Sequence, residues 1–319
     1  MSNFKLAATI SQLRSNVLIL LASYNGKKWI EEQINSILSQ VDVDSVRILI
    51  RDDCSSDGTV SHIENLYGGD SRVTLLRAGE PSGTAGQNFF ELIRVCDLKG
   101  IDYVAFCDQD DIWFDDKLSR AIKALRNSNS QGYSSAVKAF WPNGRTRILR
   151  QSSSYMPLDF LFEGAGQGCT FVIEIDAFEC IKRSAINNRD ILKNIYYHDW
   201  TAYFIVRILG KRWYFDSRPS MLYRQHSSND TGARGSFGAA LKRLKLIRSG
   251  WYKNQLNWYF LLVKRYKLPI IKLDEWILLN QSSATIINKA RLMQFLLLNS
   301  RRKISDRVVL SLSLCFGWL

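Results

Sequence analysis

Between Val17 and Cys107, short apolar runs alternate with segments of helical period, and each run ends in a polar cluster. Val17 to Leu21 is wholly apolar, the mark of a strand covered on both faces. Ala22-Ser23-Tyr24-Asn25-Gly26 turns out of it into a helix whose apolar positions are Ile30, Ile34, Ile37 and Leu38. Val46 to Ile50 and Val73 to Leu76 are the next strands. The first is followed by a polar loop in which Asp57 can cap a helix starting near Thr59. The second leads through Gly83 to Gly86 into a helix carrying Phe89, Phe90, Leu92 and Ile93. Tyr103 to Cys107 is the fourth strand. Such alternation implies an α/β fold with a mostly parallel open sheet and right-handed crossovers, and ligands of such sheets bind at the carboxyl ends of the strands. The clusters Ser23 to Asn25, Asp52 to Asp57 and Asp108 to Asp111 therefore line one rim.

Asp108-Gln109-Asp110-Asp111 puts three carboxylates within four positions at a buried strand end. Like charges so close repel, and a hard divalent cation with oxygen ligands relieves them. The competing reading makes Asp110 or Asp111 a solvated turn residue and Asp115 or Asp116 a helix cap. No G-x-x-x-x-G-K-[ST] phosphate loop occurs and no G-x-G-x-x-G follows the first strand, which argues against a P-loop nucleotidase and a dinucleotide enzyme. Acids at the rim still suit a nucleotide whose phosphates arrive with Mg²⁺ or Mn²⁺, an ion that keeps positions open for diphosphate oxygens.

Farther along, Gly164 to Gly168 opens into a strand expected at Thr170 to Ile175 and a helix from about Asp176 to Arg183. Tyr197-His198-Asp199-Trp200 starts a helix that Gly210 ends, and Trp213 to Phe215 and Met221 to Tyr223 read as two short strands before Arg224-Gln225-His226. The 319 residues, 46% hydrophobic, suffice for one catalytic domain with an appendage. Six scattered cysteines without a C-x-x-C pair read as mostly buried thiols in a reducing compartment, with neither zinc site nor disulfide framework. With no signal-type segment and no spanning apolar run, a cytoplasmic protein is expected.

These motifs together resemble family-2 glycosyltransferases of the GT-A type. Ser23-Tyr24-Asn25-Gly26, Asp52-Asp53-Cys54-Ser55-Ser56-Asp57-Gly58-Thr59, Asp108-Gln109-Asp110-Asp111-Ile112-Trp113 and Tyr223-Arg224-Gln225-His226 resemble its rhamnosyltransferase-like branch, over roughly residues 15 to 235. The resemblance implies an inverting, metal-dependent transfer of a sugar from a nucleotide diphosphate, dTDP-rhamnose or a UDP-sugar, to a glycan or lipid-linked acceptor. By the same resemblance Ala22 and Tyr24 lie against the base and Asp53 accepts from its N–H edge. Asp108 reaches ribose or metal, Asp110 the metal, and His226 the metal or diphosphate, while Asp111 supports them. Asp199 is implied as the base at a helix start, with His198 orienting it and Trp200 and Gly168 near it or the acceptor. Arg224 neutralises phosphate or pairs with an acid. For Asp52 and Asp57 a turn and a cap are the better reading. His198-Asp199 stands where many relatives have Glu-Asp, and Gly164-Ala165 where many have Gly-Asn.

The net charge of +13 is uneven: residues 1 to 235 carry 28 Lys and Arg against 27 Asp and Glu, whereas residues 236 to 319 carry 15 against 3. The division that follows is a tail at 1–16, a GT-A domain at 17–235 and a basic, aromatic-rich helical extension at 236–319. Within the extension, Lys242, Arg243, Lys245, Arg248, Lys253, Lys264, Arg265 and Lys267 are interleaved with Trp251, Tyr252, Trp258 and Tyr259. An anionic membrane surface is the expected partner, and no nucleic acid is expected. The competing reading is a helical cap packed on the catalytic domain. Other classes consistent with the acids are a nucleotidyltransferase, a phosphatase-like hydrolase, for which the D-x-D-x-T is missing, and a glycan- or membrane-binding scaffold without turnover.

Overall fold

A computed structural model describes residues 15–150, 155–226, 245–266 and 286–318. Strands β1 (Asn16–Ser23), β2 (Ser45–Asp52), β3 (Val73–Arg77) and β4 (Tyr103–Cys107) alternate with helices α1 (Ile30–Leu38), α2 (Thr59–Tyr67) and α3 (Ala85–Val95). They form the parallel run β3-β2-β1-β4, as the alternation implies. Alternating side chains feed two cores: Leu18 and Leu20 enter one with Val104 and Phe106, and Val17, Ile19 and Leu21 enter the other with Ala105 and Cys107.

Beyond β4 the sheet becomes mixed. After β5 (Ile112–Trp113) and α4 (Lys117–Ser128) come β6 (Gly132–Phe140), β7 (Thr146–Leu149), β8 (Val172–Glu174) and β9 (Trp213–Arg224). The order continues β4-β8-β6-β9-β5, with antiparallel pairing of β4 with β8, β8 with β6 and β9 with β5. Two expectations change here. The strand expected at Thr170 to Ile175 is a 3₁₀ turn, Gly168–Thr170, followed by the short β8, and Ile175 already belongs to the next helix. The two short strands expected around Asp216 to Pro219 are one strand with shifted register, because Pro219 has no N–H for a ladder and the Asp216 carboxylate takes the Arg218 N–H instead, at 2.9 Å.

Further helices among the described residues are α5 (Asp159–Phe162), α6 (Ile175–Asn187), α7 (Arg189–Leu192), α8 (His198–Ile208), α9 (Trp251–Tyr266), α10 (Ile286–Asn299) and α11 (Ile304–Cys315). The boundary expected at residue 235, together with Lys242, Arg243 and Lys267, lies outside the described residues. The described helices of the extension share a core with the rest: Tyr252, Leu256, Tyr259, Leu292, Phe295, Leu310 and Leu314 are buried in the cluster that holds Trp200 and Phe204. The aromatics expected to meet lipid along α9 thus largely pack inward. Of the cysteines, Cys96, Cys107 and Cys169 are buried, whereas Cys54 and Cys315 are exposed, so burial is less general than expected.

An ion cluster fastens the extension. Arg302, 5% exposed, meets Asp159 at 3.2 Å and donates to Gly164 O at 2.6 Å, and Arg207 meets Asp159 at 3.0 Å. Burial pushes the Asp159 carboxyl up, opposed by Arg207 and Arg302. Removing one partner leaves uncompensated charge, so Arg302→Ala is expected to cost about 3–5 kcal/mol of unfolding free energy in urea titration. A cost below about 1 kcal/mol would show that the cluster contributes little.

Candidate active site

The acids at the end of β4 sit in a network. Asp111 is fully buried; its Oδ1 accepts the Arg224 N–H at 3.0 Å, and its Oδ2 has no nitrogen or oxygen donor among the described residues. Burial, and then Asp110 and Asp108, push its carboxyl well above the usual range. Lys117 lies beneath, fully buried, with Nζ over the Trp113 ring at 4.0 Å and donating to Cys169 O at 3.1 Å; burial pulls its ammonium down to about 8. Asp110 meets His226 Nε2 at 2.7 Å, and the His226 ring stacks on Trp29 at 4.2 Å.

Arg224 donates from Nε to Asp110 O at 2.8 Å, pairs with Glu32 and covers the Phe140 ring. Its ion pair is thus with Glu32, outside the rim, and it meets the rim through the Asp110 carbonyl and its own backbone N–H. Gln109, passed over in the sequence because it is uncharged, makes a two-point amide bridge to Tyr24, accepting from its N–H and donating to its C=O, both at 2.8 Å. That bridge ties the acid loop to the end of β1, where Ala22 is buried and Tyr24 is 56% exposed. Gly26 makes room for it, since a Cβ there would meet Gln109 Oε1 at 2.2 Å.

On the β2 side of the rim, Asp53 takes Arg51 Nη1 and Ser82 N and Oγ, each at 2.8 Å. Asp52 accepts from Ser55 N and Oγ, the turn role expected of it, whereas the cap expected of Asp57 falls to Gly58: Asp57 accepts the Thr59 N–H at 3.0 Å as a turn residue just ahead of α2.

Asp199 stands in the first turn of α8, where helix N–H dipoles favour an anion, and its Oδ1 takes the Trp200 N–H at 2.7 Å. The segment before it is clamped by two glutamines. Gln87 on α3 donates to Leu192 O and Ile195 O, and Gln255 on α9 accepts from Tyr196 N and donates to Asn194 O. Trp200 turns into the core, with Nε1 on Phe160 O at 2.8 Å and its ring against Tyr259, so it supports α8 from behind. His198 stacks on Phe89 at 3.7 Å and meets Phe106 edge-on; its Nε2 is buried without a hydrogen-bond partner among the described residues. Ring packing therefore holds His198 in place directly before Asp199 in the chain.

Gly168 and Cys169 join the two halves. A Cβ on Gly168 would lie 2.8 Å from Asp199 Cβ, while Cys169 Sγ and carboxylate oxygens of Asp108 and Asp111 lie within 4.8 Å of one another. Two sets of donors compete for a divalent ion, Asp108 and Asp111 with Cys169, and Asp110 with His226. Burial pushes the Cys169 thiol far up, so it stays protonated and is a poor ligand for a hard cation. Asp110 with His226, and Asp108 two positions before Asp110, offer the oxygen and imidazole donors that suit Mg²⁺ or Mn²⁺.

A curled α/β sheet with an acidic rim at the ends of its parallel strands is the GT-A architecture, and comparison with known proteins agrees. Residues 18–196 match glycosyl transferase family 2, and the chain belongs to that family. It is 42% identical over 238 residues, 74% of this chain and 82% of the relative, to the dTDP-rhamnosyl transferase RfbG of Shigella flexneri. It is 36% identical over 108 residues, 33% of this chain and 39% of the relative, to the Escherichia coli UDP-Glc:alpha-D-GlcNAc-diphosphoundecaprenol beta-1,3-glucosyltransferase WfaP. Among solved structures, TarS 1–349 of S. aureus in complex with UDP-GlcNAc has the same fold, with a TM-score of 0.50 at 16% identity over 88% of this chain and 79% of that one.

Gly168→Ala is expected to push Asp199 aside and lower kcat about 10- to 100-fold with little change in nucleotide affinity, as steady-state kinetics and calorimetry would read. Burial holds the His198 imidazole down, to about 3 from 6.5. The folded state thus binds fewer protons than the unfolded chain between those values, and stability falls as pH falls through that window. His198→Phe should flatten the decline in urea midpoint over it; an unchanged decline would assign it to other groups.

Proposed function

We propose that the protein transfers a sugar, with inversion at the anomeric carbon, from a nucleotide diphosphate to a hydroxyl of a cell-envelope or lipid-linked glycan. The observation that carries this reading is the Gly168-Cys169 pair, which sets an anionic side chain at a helix start against one side of a turn and the acidic rim against the other. In this reading the base lies against Ala22 and Tyr24, with Asp53 toward its N–H edge, and the diphosphate lies over the acids. Asp110, His226 and Asp108 would hold a divalent cation. When bound, such an ion supplies charge neutralisation for the departing diphosphate.

Asp199 accepts the proton of the acceptor hydroxyl as that oxygen bonds to the anomeric carbon. The bond from that carbon to the diphosphate oxygen breaks on the opposite face, and the nucleotide diphosphate leaves with the electron pair. A carboxylate is too weak a base to form an alkoxide beforehand, so proton transfer accompanies bond formation. Asp111 and Lys117 shape the floor beneath, and Gly168 lets the acceptor approach Asp199.

The donor is proposed to be dTDP-rhamnose, supported by the extent of the similarity to RfbG. A lipid-linked acceptor is supported by the diphosphoundecaprenol in the name of WfaP. The reading has the enzyme work peripherally at the inner face of the cytoplasmic membrane. Among the described residues no helix is long and apolar enough to cross it.

A thermal-shift panel of dTDP, UDP and GDP with and without Mn²⁺ is expected to give metal-dependent stabilisation by dTDP above all, lost in Asp110→Ala. Asp199→Asn should keep that response and lose transfer by about 100-fold or more. Preference for UDP would replace the donor, no response to any nucleotide would reject the transferase reading, and full transfer by Asp199→Asn would assign the base elsewhere.

A further inference from the structure

The hairpin of α10 and α11 leaves an apolar face uncovered. On α11, Ile304, Val308, Val309, Leu312 and Phe316 are all exposed, Ile304 to 71%, Phe316 to 66% and Leu312 to 49%. At 100° per residue these positions span an arc of about 140°, and Leu310 and Leu314 on the other side reach the core. On α10, Ile287, Leu297 and Leu298 are exposed, while Leu292, Phe295 and Leu296 are buried.

The two exposed arcs lie on the same side. Arg307 reaches Leu297 O, Ser311 Oγ reaches Met293 O, and Cys315 Sγ lies 3.3 Å from Met293 Sδ, contacts whose order makes the helices antiparallel. Each arc starts at the Met293–Cys315 seam, and antiparallel neighbours turn away from a shared seam in opposite senses. The apolar side chains therefore form one surface, larger than the scattered exposed residues normal for a soluble surface.

Charge around this surface selects its occupant. Between residues 286 and 318 the chain has six Lys and Arg and one acidic residue, Asp306. Asp306 faces Arg301, and Arg302 is committed to Asp159. Arg291 is exposed within about 40° of Ile287 and Leu298 on α10, and Lys303 is exposed directly before Ile304. An apolar helix face bordered by cations and free of exposed carboxylates is complementary to an anionic lipid surface, with side chains entering the acyl boundary and Lys and Arg meeting headgroups.

We propose that the α10–α11 hairpin docks the enzyme on anionic bilayers through Ile304, Val308, Leu312 and Phe316, with Arg291 and Lys303 contacting lipid phosphate. The surface sits apart from the aromatics of α9, which pack inward. It is also independent of the acidic rim, so its test needs no donor or acceptor.

The test is flotation of the full chain with phosphatidylcholine vesicles, with and without about one third phosphatidylglycerol. Binding is expected to the anionic vesicles and to fall as salt rises. Leu312→Asp/Phe316→Asp should reduce the bound fraction about tenfold or more, and Arg291→Glu/Lys303→Glu should remove the preference for anionic lipid. The milder Leu312→Ser/Phe316→Ser pair, at exposed positions, guards against misfolding, and retained thermal unfolding of each variant confirms the fold. Flotation of the aspartate variant equal to that of the wild type would overturn the proposal, as would no flotation of the wild type. So would a wild-type dimer by light scattering that the variants dissociate without any lipid binding, which would give the face to a second copy. None of these results bears on nucleotide stabilisation, so failure here leaves the transferase reading to stand or fall separately.

Discussion

Three carboxylates confined to four residues at the end of a buried strand must be held against their mutual repulsion, and much of the molecule contributes to holding them. Asp111 takes the Arg224 backbone N–H, and Lys117 places a buried ammonium beneath the group. Arg224 grips the Asp110 carbonyl, and His226 reaches the Asp110 carboxylate. Lys117 follows the acids closely at the start of α4, but Arg224 and His226, at the end of β9 and just past it, lie 113 and 116 positions from Asp111 and Asp110, so assembling the acidic rim requires the mixed half of the sheet. The stress left over, seen in the raised Asp111 carboxyl, is the kind that functional sites store.

The second dependence runs through the extension. Helix α9 contributes Gln255, one of the two amides clamping the segment before Asp199, and Tyr259, which backs Trp200. Arg302, beyond α10, fastens Gly164 at the start of the loop that ends in Gly168. An appendage that looks dispensable in sequence therefore fixes the position of the residue proposed as the base. Its surface and its structural role are separate properties: the inward stripes of α9, α10 and α11 complete the core, and the outward side of α10 and α11 carries the exposed apolar arc with its bordering cations.

The parallel half of the sheet was legible because β1 and β4, buried on both faces, must be continuous apolar runs, and because α1 and α3 bury apolar stripes with helical period. The mixed half was less so. Strand β8 is only three residues long, and β9 is interrupted by Pro219, so neither has enough period to identify it. Asp108, Asp110, Asp199 and His226 stood out because charge or imidazole at a strand or helix end has few structural uses. Gln109, Gln87, Gln255 and Lys117 did not, since an amide or a lysine is ordinary in any polar loop or helix, and their roles depend on partners far along the chain.

The sequence by itself determined the strand–helix alternation, the acidic rim at the strand ends and the concentration of positive charge after residue 235, because periodicity, local charge and composition are properties of neighbours along the chain. Only the tertiary structure decided how deeply each acid is buried, how Gly168 and Cys169 bridge Asp199 to the rim, and which faces of the terminal helices are covered. Those outcomes depend on burial and on contacts between residues tens to hundreds of positions apart, whose energies arise only when the layers close on one another.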